Sequence, residues 1–167
     1  MTSLLFDFSD PRSMTLWNPI NDSVMGGVSQ SQLRIAPAGH AVFVGQISFE
    51  NNGGFASVRS LPCDLGRKNV SAYILEVCGD GKRYKLNLRT DSSFDGVNYQ
   101  AQFDPPAGIW TTCRLASADF LPSWRGRSVP DAPPLDTTRV RQIGLMIADR
   151  QEGSFVLAIR SIAVEIT

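Results

Sequence analysis

This chain offers one imidazole and three thiols, a single histidine and three cysteines, to nucleophilic or metal-binding chemistry. His40 stands at the start of a strand-like run with no nucleophile spaced to use it as a base, and the triad logic needs both. Cys63, Cys78 and Cys113 form neither a CxxC pair nor a Cys/His set, and an odd number cannot pair within the chain, so zinc and a disulfide framework are both disfavoured. They read as free thiols of a reducing compartment. No Gly-x-Ser-x-Gly elbow, Walker loop or dinucleotide fingerprint is present. Asp80-Gly81 is an acidic turn without the further ligands a calcium loop requires, and Asp22, Glu50 and Asp80 have no spacing that fixes a carboxylate pair. The sequence therefore assigns no catalytic residue, no metal and no cofactor.

Binding chemistry is better represented. Lys85, Asn87 and Arg89 alternate with Tyr84, Leu86 and Leu88, and Asn98, Gln100 and Gln102 alternate with Val97, Tyr99, Ala101 and Phe103. Such alternation sends one set to a core and gathers the other on one face of a sheet, with Glu76 able to join from the preceding strand. Amides and cations on that face suit hydroxyl-rich or anionic ligands; a solvated outer sheet is the plainer alternative. A second set joins Trp17, Asn21, Asp22, Met25, Gly26 and Gly27, in the stretch Trp17–Ser29, to Arg59 and to Trp124, Arg125 and Arg127 of a proline-framed loop. Trp and Arg anchor protein interfaces, and a loop held by prolines presents them at low entropic cost. For Trp17 the alternative is a core plug at one end of the fold.

These residues need strands to hold them. Runs at Leu4–Phe8, Ser29–Ile35, His40–Phe49, Phe55–Ser60, Ala72–Cys78, Arg83–Thr90, Val97–Phe103, Trp110–Leu115, Val140–Ala148 and Ser154–Ile166 have strand character, and helical periodicity is scarce. Asn51-Asn52-Gly53-Gly54 predicts a hairpin turn and Gly26-Gly27 a bulge or crossing point. The three runs between Ala72 and Phe103 read as one meander, Ser117–Phe120 as a helical turn, Pro122–Pro134 as a long loop, and Asp136 as the cap of a short turn. The expectation is all-β: a single antiparallel β-sandwich spanning residues 1–167.

Sixteen basic and sixteen acidic residues cancel, which removes the bulk attraction that nucleic acid or an anionic membrane would exert. No apolar run approaches the ~20 residues of a membrane span. The N-terminal residues enter strand-like sequence at once, without the basic region of a targeting peptide, so a bacterial-type cytoplasmic location is expected.

In order along the chain, Trp17-Asn18-Pro19-Ile20-Asn21-Asp22-Ser23-Val24-Met25-Gly26-Gly27-Val28-Ser29, Phe43–Ser48, Glu50–Arg59, Gly79–Tyr84, Tyr99-Gln100-Ala101, Phe120–Arg127 and Ile143–Asp149 resemble the blocks of the complex I intermediate-associated protein 30 family. The resemblance implies a jelly-roll sandwich of the galactose-binding type, no catalytic residues and work as an assembly factor or chaperone for a respiratory or photosynthetic membrane complex. A partner would be held by the Trp124–Arg127 loop and the Trp17–Gly27 corner. The alternative is a small-ligand module that takes a carbohydrate or polyol on the polar sheet face. Photosynthetic relatives resemble regulators of gene expression, which raises RNA as a third partner class that the zero net charge disfavours.

Overall fold

A computed structural model describes residues 1–20, 29–50, 54–91, 96–149 and 151–167. Among the described residues thirteen strands form two sheets: β1 (Thr2–Asp7), β2 (Trp17–Pro19), β3 (Gln30–Ile35), β4 (Ala41–Ile47), β5 (Ala56–Ser60), β6 (Val70–Cys78), β7 (Tyr84–Arg89), β8 (Asn98–Phe103), β9 (Trp110–Ala116), β10 (Leu121–Trp124), β11 (Arg127–Ser128), β12 (Gln142–Ile147) and β13 (Gly153–Ile166). The first sheet runs β3-β4-β13-β6-β9, with β1 also on β13; the second runs β11-β10-β8-β7-β12-β5-β2. Neighbouring strands in both are antiparallel. This is the expected sandwich, with the jelly-roll arrangement.

The core lies between the sheets and is filled by the alternation seen in the sequence. Tyr73, Leu75 and Val77 of β6 and Phe43 and Ile47 of β4 meet Tyr84, Leu86 and Leu88 of β7 and Ile143, Leu145 and Ile147 of β12, all essentially without solvent contact. In β13 the parity changes midway. Phe155, Leu157 and Ile159 point inward, then Ile162 and Val164 do, because the register to β6 shifts between Ile159 and Ser161. That bulge leaves Arg160 outside, stacked 3.8 Å over Trp110 and bonded from Nη1 to Glu76 Oε1 at 3.0 Å.

Three expectations are corrected. The runs from Ala72 to Phe103 are not one meander: β6 lies in the first sheet, and β7 and β8 lie in the second. The chain crosses between sheets at Gly79–Lys82. A Cβ on Gly79 would sit 2.6 Å from Pro105 Cγ, so only glycine passes there. Asp80 ties the crossing down. Its Oδ1 accepts from Tyr84 Oη and the Lys82 amide at 3.0 and 3.1 Å, and its Oδ2 accepts from the Val156 amide of the opposite sheet at 2.9 Å. Glu76 therefore belongs to the outer face of the first sheet and cannot join the polar set. Finally, the proline-rich stretch is not all loop, since β10 and β11 form a hairpin within it. The short turn at Asp136 stands, with Asp136 Oδ1 accepting from the Thr138 amide at 3.0 Å. The predicted turn at Asn51–Gly54, up to Gly54, and the Gly26-Gly27 bulge lie outside the described residues.

Candidate functional site

The residues expected to hold a partner or a ligand fall in two regions, at different places on the second sheet. The first is the β10–β11 hairpin. Trp124 pairs with Arg127, leaving Arg125 and Gly126 as a two-residue turn with φ of 49° and 78°. Positive φ at both positions is the type I′ signature, whose twist matches that of the flanking strands. The Arg125 guanidinium lies 4.8 Å from the centre of the Trp124 ring. Trp124 remains 40% exposed, and Arg125 and Arg127 stand in solvent beside it. Behind the hairpin the prolines are anchored: the Val129 amide donates to Pro122 O at 3.2 Å, and Tyr99 Oη donates to Pro133 O at 2.7 Å.

The second region is the outer face of the same sheet. Opposed residues on antiparallel strands share a face. The register sets Leu121, Gln100, Asn87, Gly144, Arg59 and Asn18 in one row across six strands. Gln102, Lys85, Met146 and Ser57 form the next row, and Arg89 pairs with Gln142 beyond it. This layer is not a solvated sheet face. Asn87, Arg89, Gln142 and Ser57 are 7, 3, 6 and 6% exposed. Asn87 Nδ2 and Gln100 Nε2 both reach the thioether of Met146, at 3.9 and 3.8 Å. Arg89 Nη1 donates to Asn98 Oδ1 at 2.9 Å, and Lys85 Nζ pairs with Asp149 Oδ1 at 3.1 Å. Gln142 Nε2 donates to Ser60 O at 3.1 Å. Asn87 Oδ1 and Gln142 Oε1 are buried and accept no hydrogen bond.

The residues expected to form one partner surface are thus separated. Trp17 is 6% exposed and packs edge-on to Phe6 at 5.1 Å and beside Phe8 at 5.7 Å, so its ring is core and presents no face to a partner. Arg59 lies in β5, four strands from β10 along the sheet, roughly 19 Å at the usual strand spacing. It joins the polar face, not the hairpin. Asn21, Asp22, Met25, Gly26 and Gly27 lie outside the described residues. All six residues of the small-ligand set, Lys85, Asn87, Arg89, Asn98, Gln100 and Gln102, share the one face, with Gln102 at its exposed margin.

Gln142, Gly144 and Met146 complete that face and were missed by reading Val140–Ala148 as a mostly apolar strand. Their signal was the alternation with Ile143, Leu145 and Ile147, which buries those three and turns the others outward. His40 packs edge-on to Trp110 at 5.0 Å, and burial, then the nearby Arg160 charge, hold its pKa below the ordinary value. Cys63, Cys78 and Cys113 are half-buried free thiols, with burial raising the pKa of Cys63 and Cys113. Among the described residues no group of His, Cys, Asp and Glu is arranged to hold a metal ion.

The family model described as complex I intermediate-associated protein 30 matches residues 6–159. The mitochondrial complex I intermediate-associated protein 30 of Drosophila melanogaster is 24% identical over 186 residues, covering 98% of this chain and 63% of the relative. That of Mus musculus is 23% identical over 181 residues, covering 96% of this chain and 55% of the relative. The chain thus spans less than two thirds of these curated relatives. Among solved structures, the family 11 carbohydrate-binding module of the cellulosomal cellulase Lic26A-Cel5E of Clostridium thermocellum superposes with a TM-score of 0.75 at 13% identity, over 100% of this chain and 95% of the module. The family 11 module from the same organism in complex with a β-1,3-1,4-mixed-linked tetrasaccharide gives 0.73 at 15% identity, over 99 and 96%. At these identities the likeness is one of fold.

Proposed function

Because the chain belongs to the complex I intermediate-associated protein 30 family, we propose that it is a non-catalytic binding protein that assists the assembly of a respiratory or photosynthetic membrane complex. The observation that carries this reading is the family match across residues 6–159, nearly the whole domain. The proposed contact is the β10–β11 hairpin. Its short type I′ turn and its anchored prolines hold Trp124, Arg125 and Arg127 ready, so little ordering entropy is lost when a partner closes on them. The proposed place of work is the cytoplasmic surface of the complex. No helix among the described residues is long and apolar enough to cross a membrane. A non-catalytic role agrees with the use of His40 in packing against Trp110.

The test is capture of the tagged protein from its own host in mild detergent, with mass spectrometry of what accompanies it. Recovery of membrane-complex subunits or assembly intermediates is expected. The double substitution Trp124→Ala with Arg127→Ala should abolish that recovery while the melting temperature stays near that of the parent. Undiminished recovery by the folded double variant would exclude the hairpin as the contact. A protein that brings down no subunits at all would exclude the assembly role.

A further inference from the structure

The buried acceptors on the polar face are the feature that neither packing nor the assembly reading uses. Asn87 and Gln142 are more than nine-tenths buried, yet Asn87 Oδ1 and Gln142 Oε1 accept no hydrogen bond. A buried polar atom left unpaired costs about 1–3 kcal/mol, and a wholly apolar replacement of similar shape avoids that cost. The orientation of the Asn87 amide is fixed from the other side. Its Nδ2 and the Nε2 of Gln100, directly across β7 and β8, both turn to the Met146 sulfur, so the two amide oxygens are turned from it. Beside Asn87 in the row stands Gly144, where the sheet carries no side chain. A Cβ there would come 3.1 Å from Val58 O and 3.7 Å from Asn87 Cβ, crowding the base of the Asn87 side chain.

The geometry points to a ligand site here, centred on Asn87, Gln100 and Gly144, for a neutral molecule that donates hydroxyl hydrogens: a polyol or an oligosaccharide. The charges of the face decide the class. An anion brings acceptors only, and would set like against like at Asn87 Oδ1 and Gln142 Oε1. Lys85 is already paired with Asp149, and Arg89 with Asn98, so two of the cations of the face are engaged with partners of their own. A hydroxyl carries no charge and both gives and accepts. The neighbouring carboxamides of Asn87 and Gln100 turn their nitrogens to Met146 and leave two oxygens that adjacent hydroxyls on one carbon framework can meet together. The site goes beyond the assembly role and uses none of the hairpin residues proposed for it.

The experiment uses the purified protein without any partner, so its outcome is separate from that of subunit capture. Side-chain amide NH2 signals are followed by 1H–15N NMR during titration with myo-inositol, trehalose, maltotetraose, cellotetraose and a mixed-linked β-glucan tetrasaccharide, and with tetra-alanine as an extended-peptide control. Asn87→Leu removes the unpaired acceptor at similar shape, so it should fold and melt no lower than the parent. Gly144→Val, which blocks the floor, is the second variant. At least one of the hydroxylated probes should shift the Asn87 and Gln100 signals, and Asn87→Leu should weaken it about tenfold or more. Any of three results overturns the proposal: no hydroxylated probe shifts those signals at 10 mM, a probe that binds does so equally well in both variants, or tetra-alanine alone moves them. The last would make the face a peptide groove.

Discussion

Trp17 decides whether the signature stretch near the N-terminus is a surface or a plug. The ring is 6% exposed and contacts Phe6 and Phe8 at centroid distances of 5.1 and 5.7 Å. Truncating a buried Trp to Ala typically costs about 3–5 kcal/mol, and each aromatic edge contact adds roughly 0.5–1.5 kcal/mol to simple burial. We therefore expect Trp17→Ala to lose about 4 kcal/mol. For a domain of this size each kcal/mol moves the midpoint by about 2–4 °C, so the melting temperature should drop by roughly 10 °C. Trp17→Phe separates two contributions. The indole Nε1 is buried and has no acceptor, and deleting that donor relieves about 1–3 kcal/mol against the loss of one ring's worth of packing. The Phe variant should then sit within about 1.5 kcal/mol of the parent. Urea and thermal unfolding followed by far-ultraviolet circular dichroism measure both. A Trp17→Ala protein that melts within about 2 °C of the parent would refute the core assignment, and a Phe variant as unstable as the Ala variant would refute the argument about Nε1.

Two further expectations use other parts of the sandwich. Gly45 faces Ser31 across β3 and β4, and a Cβ there would lie 2.1 Å from Gln30 O and 2.8 Å from Ser31 Cα. Backbone atoms cannot rotate aside, so Gly45→Ala should cost about 3 kcal/mol or more and expose the β3 amides to hydrogen exchange; unchanged protection in β3 would contradict this. Glu165 is bonded by Arg114, with Nη2 at 2.7 Å from Oε1, and by Ser71 Oγ at 2.8 Å, and these partners, Arg114 foremost, hold its pKa at about 2 against an ordinary 4.5. A depressed carboxyl contributes stability above its unfolded pKa and loses it as pH falls toward the folded one, here between 4.5 and about 2. A 13C carboxyl titration should find the low midpoint, and Arg114→Ala should raise it; an unmoved midpoint would sink the assignment.

The strands were legible because their alternation is strong: Tyr84, Leu86 and Leu88 could face only a core. Which sheet each strand joins was not. The turn at Gly79–Lys82 has the length and composition of a hairpin, and only its fit against Pro105 shows that it bridges the two layers. The polar face was half read. Asn87 and Gln100 stood out as amides where charged residues are usual, but their partner Met146 and the bare floor at Gly144 sit in a strand whose apolar residues masked its outward set. At the hairpin, Arg125-Gly126 between Trp124 and Arg127 held a turn signal, and the surrounding prolines hid it. Arg59 and Trp124 looked like members of one cluster because sequence cannot count the strands between them.

The length of β13 also bears on how the protein is made. This one strand pairs with β4 along its first half, with β1 along its second, and with β6 on its other edge, and the Ile166 amide donates to Met1 O at 2.8 Å. The six-stranded sheet therefore has no centre until residues 153–166 have left the ribosome. Until then β1, β4 and β6 wait with open edges, through synthesis lasting roughly ten to thirty seconds at ordinary elongation rates. Their long-range pairing makes the last step slow as well. Until that strand arrives the first sheet exists only as separate pairs, β3 with β4 and β6 with β9, which residues 153–166 join into one.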